Sequence, residues 1–190
     1  MKDRGFTLME MVVALAIVLV ALAIALPTLK AYSVEAHILG AGRAFKGEFR
    51  RARSIAAKTT RQTAIRFEVV DGVDYYSIYS DGGCNGIMKR DIDRGLDVRI
   101  AGPFRLDAGA PGVRVGINLG VSAIPPDRGI LTGDPIRFGS SRMVSFSPLG
   151  TATPGTFYLA GENLQAAVRV TPGSARVRLM FWRGGRWVER

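Results

Sequence analysis

The chain begins with its longest apolar run. Between Phe6 and Leu26 only Thr7 and Glu10 are not apolar, and Met11–Leu26 is uninterrupted. As a helix, these 21 residues span about 30 Å, close to one bilayer core. Beyond Pro27 the helical period continues. Ile38, Ala41, Phe45, Phe49, Ala52 and Ile55 recur at three- and four-residue spacing, and Arg43, Lys46, Arg50 and Arg53 lie mostly off that stripe. The pattern predicts a helix running from the apolar segment to about Thr59. Gly40, Gly42 and Gly47 each weaken it by roughly 1 kcal/mol relative to Ala, so a bend or flexible section is expected near Gly40.

From Gln62 the period changes to two. Residues 64–69 and 75–79 read as a hairpin turning at Asp71-Gly72. Residues 80–86 are loop-like, residues 87–100 hold one strand candidate, and Gly102–Gly112 reads as loop. Val113–Ile117 is a short strand candidate, and Gly120–Gly133, with Pro125-Pro126, reads as a long exposed connection. Four further strands are expected, at 143–146, 156–159, 166–170 and 176–179, separated by Pro/Gly turns. One long helix followed by many short strands predicts an α+β fold, the helix packed on antiparallel sheet. The expected divisions are a leader at 1–5, a transmembrane helix half at 6–29, an amphipathic half at 30–60 and a β-rich domain at 61–190.

Composition sharpens this picture in two respects. The single cysteine, Cys84, excludes an intramolecular disulfide. The formal charge of +10 is uneven: residues 30–70 carry nine Lys/Arg against three Glu, and residues 111–190 carry ten Arg against four acids. Such a balance suits a nucleic acid, an anionic surface or an acidic partner, or serves only solubility.

Read from the residues alone, the first segment admits a plain membrane anchor or a secretory signal peptide cut after Ala23-Ile24-Ala25; a third reading comes from a resemblance. Gly5, Phe6 and Glu10 decide among them. A basic leader with Lys2 and Arg4, Gly5, then Phe6-Thr7-Leu8-Met9-Glu10 and the apolar run resemble the type IV prepilin family, which includes the pseudopilins of type II secretion. The resemblance implies cleavage by a prepilin peptidase between Gly5 and Phe6 and N-methylation of Phe6. It also implies a role for Glu10 in subunit assembly, with other pilins or pseudopilins as partners. The expected location is the bacterial inner membrane, with the N-terminus cytoplasmic and the globular domain periplasmic. The physics agrees: the new α-amine is mostly protonated at neutral pH, and a carboxylate in lipid is far less costly beside a cation.

A second resemblance lies near the other end. Phe146-Ser147-Pro148-Leu149-Gly150, then Gly155-Thr156-Phe157, then Val168–Gly173 look like the pseudopilin H and FimT branch of that family. It implies a minor pseudopilin of the type II secretion pseudopilus, or alternatively a FimT-like minor pilin that binds DNA for uptake. In that branch a Gly-Arg-x-Arg motif is linked to DNA capture; here Ala175-Arg176-Val177-Arg178 stands in its place. Arg176 and Arg178 share one strand face, Arg169 lies on the preceding strand, and Arg183 and Arg186 alternate with aromatics. These five arginines are the candidate DNA or partner contacts.

No catalytic residue, cofactor or metal is expected. His37 is the lone histidine and reads as structural or exposed. Ser140-Ser141 has no histidine partner nearby in sequence. Asp91, Asp93, Gly95 and Asp97 have only partial likeness to a calcium loop, with no later glutamate and with Arg90 and Arg94 intruding, and read as a solvated charged loop.

Overall fold

The computed structural model describes residues 7–106 and 110–190, apart from the side chains of residues 26–31. Gly5 and Phe6, the expected cleavage and methylation positions, lie outside the described residues.

Helix α1, Leu8–Thr59, is continuous over 52 residues, about 78 Å at 1.5 Å per residue. Helical structure runs on through Gly40, Gly42 and Gly47. The periodic apolar face outweighs the local cost of the three glycines. Leu8–Ala25 is long and apolar enough to cross a membrane and none of it is buried within the protein. The second half of α1 buries Ile38, Gly42, Phe49, Ala52 and Ala56, with Ala41, Phe45 and Ile55 half-buried. Gly42 and Ala56 are buried positions that the sequence stripe omits.

The β-rich part forms two antiparallel sheets. The first has the order β3-β2-β1-β6, from β1 (Thr63–Val70), β2 (Val73–Ser80), β3 (Val98–Arg105) and β6 (Met143–Phe146). The β1–β2 hairpin turns at Asp71-Gly72, where φ is +51° and +77°, the left-handed pair that a two-residue hairpin turn requires. The second sheet has the order β10-β9-β8-β7-β4. Its strands are β4 (Arg114–Val115), β7 (Gly155–Ala160), β8 (Gln165–Val170), β9 (Val177–Arg183) and β10 (Arg186–Glu189). A further short strand, β5 (Ile136–Arg137), pairs with β7 on the same edge as β4.

Both sheets close on the second half of α1. One core combines Phe49 with Phe67 of β1, Phe146 of β6, Phe157 of β7, Val168 of β8 and Leu179 of β9. The Phe49 ring lies 5.7 Å from Phe138, 6.2 Å from Phe67 and 6.5 Å from both Phe146 and Phe157. The result is an α+β, pilin-like fold.

Several sequence expectations are corrected. Residues 87–100 begin with a short helix, α2 (Lys89–Asp93), before β3. Strand β3 then runs through Gly102 to Arg105, inside the segment read as loop, because it pairs with β2. The connection at 120–133 is not simply exposed: Val121, Ile124 and Leu131 are buried against Tyr158 and Ala167, covering the outer face of the second sheet. Finally, β9 extends to Arg183 and returns as β10. The alternation of arginine and aromatic residues there is largely a strand pleat, with Phe181 buried in the core.

Candidate functional site

The start of α1 is built around Thr7 and Glu10. Thr7 adopts an extended backbone as the N-cap, and its Oγ1 accepts from the Glu10 amide at 3.3 Å. In return the Thr7 amide donates to the Glu10 carboxylate at 3.2 Å, as does the Thr7 hydroxyl. This reciprocal box satisfies donors that the first helical turn leaves open. A carboxylate at this end also complements the helix dipole. Everything around it is exposed: residues 7–24 have no buried side chain. The helix thus presents an apolar surface on all sides, with one acid at its start.

The five candidate arginines lie on two faces of the second sheet. Arg169 and Arg178 are direct partners across β8 and β9. Arg169 donates to Asp127 at 3.0 Å and to the Ile124 carbonyl at 3.1 Å. Arg176 pairs with Glu189 of β10 at 2.9 Å, and Arg178 lies 3.8 Å from the other oxygen of that carboxylate. These three arginines face outward with acids beside them. On the same face Trp182 and Trp187 pack together at 5.5 Å, and the Trp187 indole N–H donates to the Ser122 carbonyl at 2.7 Å. Both indoles are half-buried.

Arg183 and Arg186 belong elsewhere. They are cross-strand partners at the β9–β10 hairpin, on the sheet face that looks toward α1. Arg183 reaches Glu35 of α1 at 3.7 Å. Farther along, Lys46 donates to the main-chain oxygen of Arg190 and Arg53 to the Ala175 carbonyl, each at 3.3 Å. The hairpin and one flank of α1 therefore run side by side. Sequence reasoning placed Lys46 and Arg53 off the apolar stripe but had no means of joining them to Arg183.

The spaced carboxylates serve the loop itself. Asp81 accepts from the amides of Gly83 and Gly86, and Asp97 from those of Gly82 and Met88. Asp91 accepts from the Asn85 side chain, and Asp93 pairs with Arg66. Asp81, Asp91 and Asp97 are buried, so the reading of a merely solvated loop is corrected. Among the described residues no group of three or more His, Cys, Asp or Glu could hold a metal ion. His37 is half-buried beside a groove lined by Phe45, Tyr76 and Phe104. Burial pushes the Tyr76 hydroxyl above its ordinary value, helped by the nearby Glu48 carboxylate.

An apolar, membrane-length helix with a capped start carries the β-rich domain on its second half. The family model for the prokaryotic N-terminal methylation motif matches residues 1–26. This match supports the type IV pilin and pseudopilin family, and with it processing by prepilin peptidase and assembly with other pilins. No curated protein and no solved structure matches the chain.

Proposed function

We propose that the chain is a minor pseudopilin of the H type, a structural subunit of a type II secretion pseudopilus that acts in protein export across the outer membrane. The observation that carries the filament reading is the methylation motif at residues 1–26 on a helix with an exposed first half and a domain-bound second half. Such a helix has two uses in sequence: it anchors the precursor in the inner membrane, then packs among neighbouring helices in a filament. Cleavage after Gly5 would free the α-amine of Phe6, and Glu10 is the carboxylate suited to meet a neighbour's amine. In this reading the domain lies in the periplasm and the chain carries out no catalysis.

The alternative is a FimT-like minor pilin that binds DNA. The positive charge favours it, but the ion pairs of Arg169, Arg176 and Arg178 with Asp127 and Glu189 weaken the outer face as a phosphate site. The readings separate in a titration of the full chain in detergent with a DNA duplex at two salt concentrations. The secretion reading expects weak binding that the Arg176→Ala, Arg178→Ala double variant leaves unchanged. Tight, salt-sensitive binding lost in that variant would favour DNA capture.

A further inference from the structure

A second group of positive charge lies on the flank of α1, away from the outer-face arginines. Arg43, Lys46, Arg50 and Arg53 recur at 3-4-3 spacing and so share one helix face. The bonds from Lys46 to Arg190 and from Arg53 to Ala175 fix that face toward β9 and β10. There Arg183 and Arg186 add two more cations. Glu35 lies against this group and is engaged by Arg183, and Glu48 of the same helix is engaged by Arg51. The other edge of β10 pairs with no strand among the described residues, so free backbone donors and acceptors lie beside the cations.

We propose that this face docks a neighbouring prepilin-type subunit through an acidic surface on that neighbour; the inference rests on the filament reading above. Three observations select this occupant. First, the stripe lies on the same helix as the methylation motif and continues from its exposed half, where neighbours must pack. Second, a second copy of this chain would bring one net-positive protein against another, at +10 for the full chain, which opposes self-docking here. Third, Arg43 lies 14 residues beyond residue 29, the end of the expected transmembrane half, about 21 Å along the helix, which sets the α1 stripe beyond the headgroups of the membrane that the helix itself crosses. A nucleic acid is disfavoured because the indoles of Trp182 and Trp187 pack on the opposite sheet face, leaving no stacking platform beside the cations.

The test uses the full chain in cells carrying the complete assembly machinery, with a photo-crosslinking residue at the exposed Ser54. The expected adduct joins Ser54 to an Asp/Glu-rich peptide of a different prepilin-type protein. Its yield should fall at least tenfold in Arg43→Glu, Arg50→Glu, and stay unchanged in Arg176→Glu, Arg178→Glu. Melting temperature confirms that each variant is folded, since all four side chains are at least partly exposed. Adducts to a second copy or to nucleic acid, a prepilin-type adduct indifferent to charge reversal, or no adduct from a filament-borne chain would each overturn the proposal. Absence of the wild-type chain from the filament fraction is a separate result, and it would sink the filament reading itself.

Discussion

Gly42 of α1 lies against Leu179 of β9 so closely that a Cβ at residue 42 would sit 2.6 Å from Leu179 Cδ1. This contact is where the helix meets the second sheet. By contrast, a Cβ at Gly40 or Gly47 would meet nothing within 4 Å. Substitutions on one helix should therefore have opposite signs. Gly42→Leu overpacks and should destabilise the domain by about 1–3 kcal/mol. Gly47→Ala should stabilise it by about 0.5–1 kcal/mol through helix propensity. Urea unfolding of the protein in detergent measures both; equal effects would show that the helix does not approach the sheet at Gly42.

Phe49 has no exposed surface and its ring touches four other phenylalanines from both sheets and the segment between them. Phe49→Ala should cost about 3–5 kcal/mol. Tyr32→Ala, at a side chain 77 % exposed, should change stability by less than about 0.5 kcal/mol. The comparison asks whether the core begins in the second half of α1.

The buried Asp97 carboxylate accepts two amides, from Gly82 and Met88, and so ties the 80–88 loop to the start of β3. Asp97→Ala leaves both donors without this partner and should cost about 1–3 kcal/mol. Hydrogen exchange should rise first at the amides of Gly82 and Met88. Calcium should leave the melting temperature of the wild-type protein unchanged, because these oxygens are already engaged.

Burial pushes the Tyr158 hydroxyl above the ordinary tyrosine value of 10.0, against partial opposition from Arg137. The neutral phenol is thus favoured in the fold, and the unfolded chain ionises first. Its contribution to stability is complete below pH 10 and is lost as pH rises through the folded-state value. Stability measured from pH 8 upward should decline above pH 10, and Tyr158→Phe should make that decline shallower. An identical decline in the variant would assign the alkaline loss to other groups.

Glu10 has a partner within its own subunit, the Thr7 cap, as well as its proposed partner in a neighbour. Thr7→Ala and Glu10→Ala therefore separate the two roles. Thr7→Ala should cost about 1 kcal/mol of local helix stability and leave filament incorporation largely intact. Glu10→Ala should sharply reduce incorporation while leaving the melting of the β-rich domain unchanged. Equal incorporation of the two variants would reduce Glu10 to a cap.

The sequence made the helix legible because a continuous apolar run leads into an apolar period from Ile38 to Ile55, and the hairpin legible because Asp71-Gly72 is a strong turn signal. Strand β3 was harder. Val98, Ile100 and Phe104 stay substantially exposed on an edge strand, so no clean inside–outside alternation marks it, and Gly102-Pro103 reads as a breaker. The buried role of Val121, Ile124 and Leu131 depends on which sheet face lies bare, a property of topology that composition does not encode. The same holds for the arginines. Spacing correctly put Arg176 and Arg178 on one face, but their neutralisation by Glu189 required the β9–β10 hairpin, and the grouping of Arg183 with Lys46 required the docking of α1.

The central claim is that this chain is a processed filament subunit, and the state of its own N-terminus tests this most directly. The protein should be recovered from cells containing prepilin peptidase and its terminal peptide sequenced by mass spectrometry. The account predicts a mature chain that begins at N-methylated Phe6 with Glu10 retained. A chain that still begins at Met1, or one cut after Ala25, would contradict it.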